Sequence, residues 1–136
     1  MRKPITPFAH GVLDYATAAT MAAAPRLLSF PKRAALACYA LAGDITSSAM
    51  LTDYPLGVKR VIPFKAHGAM DAFMGAVLPT LPMALGFWNN RPARNFFLGV
   101  TALMAASAVL TDWNKDSQRI ARRRHRRKPR LVRHVA

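Results

Sequence analysis

Four apolar stretches, joined by short polar links, follow one another along this chain of 136 residues. Each is close to the roughly twenty residues that an α-helix needs to cross a hydrocarbon layer about 30 Å thick. Two of them contain uncharged runs, at 72–90 and 95–111, which leave no polar stripe to face water. The pattern favours an all-α fold, a bundle of four transmembrane helices, over a soluble bundle with unusually apolar helices. The predicted spans are residues 8–28, 34–52, 66–87 and 93–111.

An internal repeat divides these spans into two pairs. The segment from His10 to Asp14 (HGVLD) recurs 57 positions later as His67 to Asp71 (HGAMD). Near the end of each pair, Leu-Thr-Asp-Tyr at 51–54 recurs as Leu-Thr-Asp-Trp at 110–113. Because a pair of helices returns the chain to its starting side, the two repeats are parallel. We predict one domain at 1–113, with repeat 1 at about 4–54 and repeat 2 at about 61–113, and a tail at 114–136.

A proline motif closes the first helix of each repeat, as APRLLSF at 24–30 and LPMALGF at 81–87. This layout resembles the SPW-repeat family of small bacterial integral membrane proteins. In that family each two-helix repeat carries Ser-Pro-Trp near the end of its first helix, commonly followed by Leu-Gly-Phe. The proline and the phenylalanine are present in both copies here, whereas the serine and the tryptophan are absent. The resemblance implies a four-helix membrane protein and brings no established activity with it.

Positive charge is concentrated at the carboxyl end. The chain has 20 Lys+Arg and 6 Asp+Glu, a net charge of +14, and ten of the basic residues lie in 114–136. Together with 52% hydrophobic residues, this distribution excludes a disordered chain and a uniformly basic soluble domain. The basic residues that flank the spans favour one side by fifteen to five, which predicts an inner-membrane protein with both termini in the cytoplasm.

The tail at 114–136 is predicted to contact the membrane surface. An arginine-rich segment beside a transmembrane helix attracts anionic lipid headgroups. No aromatic residue interrupts the basic run from 122 to 130, so base stacking and nucleic-acid binding are not supported.

Two His/Asp pairs at the predicted cytoplasmic ends of the first and third helices form the candidate site. His10 and Asp14, like His67 and Asp71, are four residues apart and therefore share a helix face. Ionisable side chains within a membrane turn toward the bundle interior and toward one another. Imidazole and carboxylate ligands suit zinc, iron or manganese, so the four residues are candidate ligands of a divalent metal or carriers of a proton. Purely structural His–Asp pairing without a cofactor is the alternative, and haem ligation by the two histidines is a third interpretation.

Three other aspartates lie near apolar segments. Asp44 is nine residues before Asp53, hence about 13 Å deeper in the second helix. We predict that Asp44 is a buried acid, hydrogen-bonded in its neutral form or acting as a proton relay. Asp53 and Asp112 occupy matched helix ends. The single cysteine, Cys38, excludes an intramolecular disulfide and a cysteine metal cluster.

These features predict an accessory or structural subunit of a membrane complex, without enzymatic activity, whose partners are the lipid bilayer and other membrane subunits. The alternative is a metal- or proton-handling membrane protein that uses the His/Asp cluster. A haem-binding electron-transfer subunit is the third hypothesis. The sequence contains no nucleophile–base pattern, phosphate loop or dinucleotide fingerprint, so no common class of soluble enzyme is supported.

Overall fold

Helices account for nearly all regular structure in the computed structural model, which describes residues 3–114. The predicted tail therefore lies outside the described residues except for Asn114. The all-α prediction is confirmed for 3–114, where no strand forms and only two isolated β-bridges occur. The helices are α1 (Pro7–Leu27), α2 (Lys32–Leu51), α3 (Phe64–Val77), α4 (Leu81–Ala84) and α5 (Arg91–Leu110).

Local sequence signals set the starts of α1 and α5. The Thr6 hydroxyl accepts a hydrogen bond from the Ala9 amide (3.2 Å), and the Asn90 side chain accepts one from the Ala93 amide (3.0 Å). Each helix also has proline in its first turn, where the missing N–H removes no helical bond. These caps fix the first residues of the first and last helices of the described chain.

The third predicted span, 66–87, is not one continuous α-helix. A 3₁₀ turn (Leu78–Thr80) separates α3 from the single-turn α4. Pro79 and Pro82 are the physical cause, because each lacks an N–H donor and its ring clashes with the preceding turn of an α-helix. The backbone keeps helical angles at Val77, Leu78 and Leu81, so the hydrogen-bond pattern changes without an end to the helical path.

The helices pack in two pairs, α1 along α2 and α3 along α5. Their shared core contains small residues of α1 and α2, such as Ala18, Ala34 and Cys38, and the aromatic rings of Phe87 and Phe97. Phe87 and Phe97 lie with ring centroids 5.2 Å apart. Cys38 is fully buried, in keeping with an inert thiol.

Two helices of the described chain, α2 and α5, are long and apolar enough to cross a membrane. Only 33% and 22% of their most apolar segments are buried inside the protein. Large apolar side chains therefore point outward, among them Leu36, Leu103 and Val109. Helix α1 has 21 residues but does not meet the same criterion, and α3 is too short to do so.

Two parallel β-bridges connect the first half of the chain to the second. Ile5, just before α1, pairs with Thr111 after α5, and Ile62, just before α3, pairs with Thr52 after α2. The two isoleucines are separated by 57 positions and the two threonines by 59, which are the spacings of the repeated motifs. Each bridge places the threonine that ends one half beside the helix that opens the other half.

Candidate functional site

The structure brings His10, Asp14, His67 and Asp71 together at the adjoining ends of α1 and α3. One ligand atom from each of the four side chains lies within 4.8 Å of all the others. Both imidazoles are buried, with 1% of each residue exposed. We refer to these four residues as the His/Asp cluster.

Both imidazoles direct Nε2 at the two carboxylates. His10 Nε2 lies 3.4 Å from Asp14 Oδ1 and 3.1 Å from Asp71 Oδ2. His67 Nε2 lies 3.3 Å from Asp14 Oδ2 and 3.4 Å from Asp71 Oδ2. The imidazole and carboxylate groups therefore alternate around a ring, and each half of the chain supplies two of the four groups. The four nitrogen–oxygen separations differ by no more than a few tenths of an ångström.

The opposite ring nitrogens are held by threonine hydroxyls. His10 Nδ1 lies 2.9 Å from Thr111 Oγ1, and His67 Nδ1 lies 2.8 Å from Thr52 Oγ1. Each of these hydroxyls already donates its proton to a helix carbonyl four residues earlier, at 2.6 Å in both cases. The threonine oxygen must consequently accept, and Nδ1–H of each imidazole must donate.

This arrangement determines which atom of each imidazole faces the cluster. With the proton on Nδ1, a neutral imidazole presents the bare lone pair of Nε2 to two carboxylates. Lone pair against carboxylate oxygen is repulsive unless a cation lies between them. His67 Nε2 is buried and makes no hydrogen bond of acceptable geometry within 3–114. The cluster thus requires either added protons or a metal ion.

An aromatic layer of Tyr54, Phe64 and Trp113 covers the cluster where α1 and α3 begin. The Phe64 ring centroid lies 5.6 Å from that of His10, and the Trp113 centroid lies 4.9 Å from it. The Tyr54 hydroxyl donates to Asp14 Oδ2 (3.2 Å). Burial, and after it the nearby Asp14 carboxylate, raises the pKa of Tyr54, so its hydroxyl stays protonated.

Glycine next to each cluster histidine makes room for this aromatic layer. A Cβ added at Gly11 would lie 2.5 Å from Tyr54 Cε2, and one added at Gly68 would lie 2.8 Å from Trp113 Cζ3. Real Cβ atoms do not approach so closely, so any side chain at either position displaces a ring. The repeated His-Gly sequence therefore combines a cluster histidine with space for an aromatic side chain.

The other predicted site residues do not join the cluster. Asp53 and Asp112 are half-buried at the ends of α2 and α5, and neither contributes to the four-residue group. The prediction that Asp44 is buried is wrong, because this residue is exposed. Helix α2 packs through a different face, which contains Cys38, Leu41 and Ile45, and this leaves Asp44 at the wall of an open groove.

Sequence reasoning missed the residues that orient the imidazoles. Thr52, Thr111 and Ser107 were assigned no role, although both threonines belong to the repeated Leu-Thr-Asp motif. The repetition of the motif was the signal that could have identified them. In the sequence analysis the aspartate of this motif was considered and the threonine was overlooked. The structure shows that the threonine, not the neighbouring aspartate, contacts the cluster.

Haem does not fit this site. The His10 and His67 ring centroids are 5.5 Å apart, and the Asp14 and Asp71 carboxylates occupy the space between the two Nε2 atoms. A porphyrin plane would have to pass through those carboxylates. The four side chains could hold a single ion instead, because one ligand atom from each lies within 4.8 Å of all the others.

The chain matches no protein-family model, and searches of curated proteins and of solved structures return no match. The resemblance to the SPW-repeat family therefore stays a prediction.

Proposed function

We propose that this protein is a small multi-pass membrane protein whose His/Asp cluster binds a divalent transition metal, with zinc as the best match. The ion would join the two halves of the chain at the cytoplasmic end of a four-helix bundle. The observation that carries the proposal is the convergence of two Nδ1-protonated imidazoles and two carboxylates on one point.

The distances favour a metal over shared protons. A tetrahedral ion with ligand bonds of about 2.05 Å separates its ligand atoms by about 3.3 Å. The four nitrogen–oxygen separations lie between 3.1 and 3.4 Å. Charge-assisted hydrogen bonds between imidazolium and carboxylate are shorter, at about 2.7–2.9 Å. The four separations are longer than such hydrogen bonds and close to that ligand spacing, which supports a metal over shared protons.

The contacts behind the ligands also suit a metal. Histidines that bind metals usually donate their other N–H to an oxygen, which fixes the ring orientation. Thr111 does this for His10 and Thr52 does it for His67. Two imidazoles and two carboxylates are ligand types that zinc accepts, and iron and manganese accept the same ligands with additional ones.

Outward-facing apolar surface supports the membrane location. Helices α2 and α5 are long and apolar enough to cross a bilayer, and both expose large apolar side chains, such as Leu36 on α2 and Val109 on α5. In a four-span arrangement α1 and the α3–α4 segment would complete the bundle, with the paired β-bridges relating two parallel repeats. The basic tail would place both termini in the cytoplasm of an inner-membrane protein. A protein whose two halves are joined by a metal could also act as an accessory subunit of a membrane complex.

Metal analysis of the detergent-purified protein tests the proposal. We expect about one equivalent of bound zinc in the wild-type protein and none in the His10→Ala/His67→Ala double variant. Asp53→Asn is the matched control, because it removes a half-buried helix-end acid outside the cluster. A correctly folded wild-type protein that stays metal-free when zinc, iron and manganese are each supplied would refute the metal centre and leave shared protons as the explanation.

A further inference from the structure

We infer that the metal ion reaches the His/Asp cluster through a groove between α2 and α3, and that Asp44 is the carboxylate that first binds it there. This inference rests on the proposed metal centre and extends it to the path of the ion. It also gives a role to the exposed acid in α2, which the cluster itself does not use.

The start of α1 and α3 offers no path. The aromatic layer of Tyr54, Phe64 and Trp113 packs against both imidazoles, with centroid distances to the nearer rings of 4.9 to 6.0 Å. Tyr54 is 2% exposed and Phe64 is 5% exposed. An ion that came from this side would have to displace buried aromatic rings.

The opposite side of the cluster is open. A cavity of about 30 Å³ adjoins His10, Asp14 and Asp71, which is enough for one or two water molecules. A groove of about 460 Å³ lies next to it between α2 and α3. The two spaces share three lining residues, Ile45, Asp71 and Met104. The small cavity and the groove are therefore neighbours that meet at these three side chains.

Carboxylates mark both ends of this path. Asp44 lines the groove, and Asp71 lines the groove and the small cavity alike. Asp71 is also the most exposed of the four cluster side chains, at 19% against 12% for Asp14 and 1–2% for the histidines. Of the four cluster residues, Asp71 is therefore the one that an ion already bound at Asp44 would meet first.

An acid within a membrane-spanning helix requires a water-filled cavity or a partner charge. For Asp44 the groove would supply that cavity, and the residues around it are otherwise apolar except for Ser48 and Asp71. A low-dielectric cleft with charges of one sign concentrates counter-ions and accelerates their binding. Asp44 and Asp71 together make the groove selective for cations.

Stopped-flow loading of the detergent-purified, metal-free protein with Co²⁺ tests the path, because bound cobalt reports through its visible absorption. We expect Asp44→Asn to lower the association and dissociation rates by the same factor, roughly tenfold, with an unchanged Kd. Asp53→Asn removes the same charge outside the groove and should load at the wild-type rate.

A steric pair of variants tests the same path without changing charge. Ala69 is an exposed residue that lines the groove, whereas Ala72 is exposed on the same helix outside it. Ala69→Trp should slow both rates, and Ala72→Trp should slow neither. Wild-type loading rates in both Asp44→Asn and Ala69→Trp would overturn the path while leaving the metal centre intact. A wild-type protein that binds no cobalt and no zinc would overturn both.

Discussion

The two halves of the molecule supply the same ligands to the His/Asp cluster but support them unequally. His10 in the first half has two hydroxyl oxygens near Nδ1, from Thr111 (2.9 Å) and Ser107 (3.1 Å). His67 in the second half has only Thr52 (2.8 Å) among the described residues. Ser48, which is the counterpart of Ser107 at a spacing of 59, donates to the Ile45 carbonyl instead.

The carboxylates differ in the same sense, because the first-half carboxylate also has the additional hydrogen bond. Asp14 accepts a hydrogen bond from Tyr54, whereas the residue equivalent to Tyr54 in the second half is Trp113, whose indole N–H donates to the Ala108 carbonyl. The comparison separates two requirements. A metal constrains the ligand atoms of both halves alike, and local packing decides how each ligand is held.

Removal of either histidine should have the largest effect, and an equal one. His10→Ala and His67→Ala each take one of four ligands, so we expect each to weaken zinc binding by at least about a hundredfold. Isothermal titration of the metal-free protein with zinc measures this. Near-normal affinity in one variant with loss in the other would show that the halves are not equivalent as ligand donors.

Replacement of the two cluster threonines should lower the zinc affinity by different amounts, because the two histidines are supported unequally. Thr52→Val leaves the Nδ1–H of His67 without an acceptor, and we expect a loss of zinc affinity of about 10–100-fold. Thr111→Val should cost less, since Ser107 remains 3.1 Å from His10 Nδ1. Thr101→Val is the matched control, because this hydroxyl also donates to a helix carbonyl but lies outside the cluster. Equal losses in the two cluster variants would contradict the asymmetry.

Alanine in place of the two cluster glycines should destabilise the protein. Gly11→Ala and Gly68→Ala each force an aromatic ring to move, and we expect about 1–3 kcal/mol lower unfolding free energy, with the larger loss at the closer Gly11 contact. Gly43→Ala has open space around the new Cβ and should instead raise stability by about 0.5–1 kcal/mol. Thermal unfolding in detergent measures all three. Unchanged stability in the cluster variants would show that the aromatic layer adapts freely.

The smallest expected effect belongs to the hydrogen bond that only the first half possesses. Tyr54→Phe removes the hydroxyl that donates to Asp14 but keeps the ring, so we expect a loss of about 0.5–1.5 kcal/mol in unfolding free energy. Tyr39→Phe changes an exposed tyrosine and should leave the same measurement unaltered. Equal stability of both variants would mean that the Tyr54–Asp14 bond adds nothing to the fold.

Periodicity and repetition predicted the helices and the ligands. Spacing of four residues fixes His10 and Asp14 on one face, and the repeat places an equivalent pair on α3, so convergence followed from the topology. The third span was predicted as one helix, and its two prolines, Pro79 and Pro82, account for the 3₁₀ turn observed at Leu78–Thr80.

Two features depended on tertiary packing and were out of reach. The rotation of α2 was ambiguous because small residues occur on several of its faces, and this reversed the expected environment of Asp44. The contacts of Thr52 and Thr111 cross between the halves, and the β-bridges that create them join residues remote in sequence. The repeated motif marks the two threonines, but neither the helical period nor the repeat spacing shows which residue each of them contacts.

X-ray absorption at the zinc edge of the purified wild-type protein tests the central claim most directly. A metal held by the His/Asp cluster should show four nitrogen or oxygen neighbours at about 2.0–2.2 Å, with outer-shell scattering from two imidazole rings that disappears in the double histidine variant. A zinc spectrum with six oxygen neighbours and no imidazole scattering, unchanged in that variant, would contradict the account.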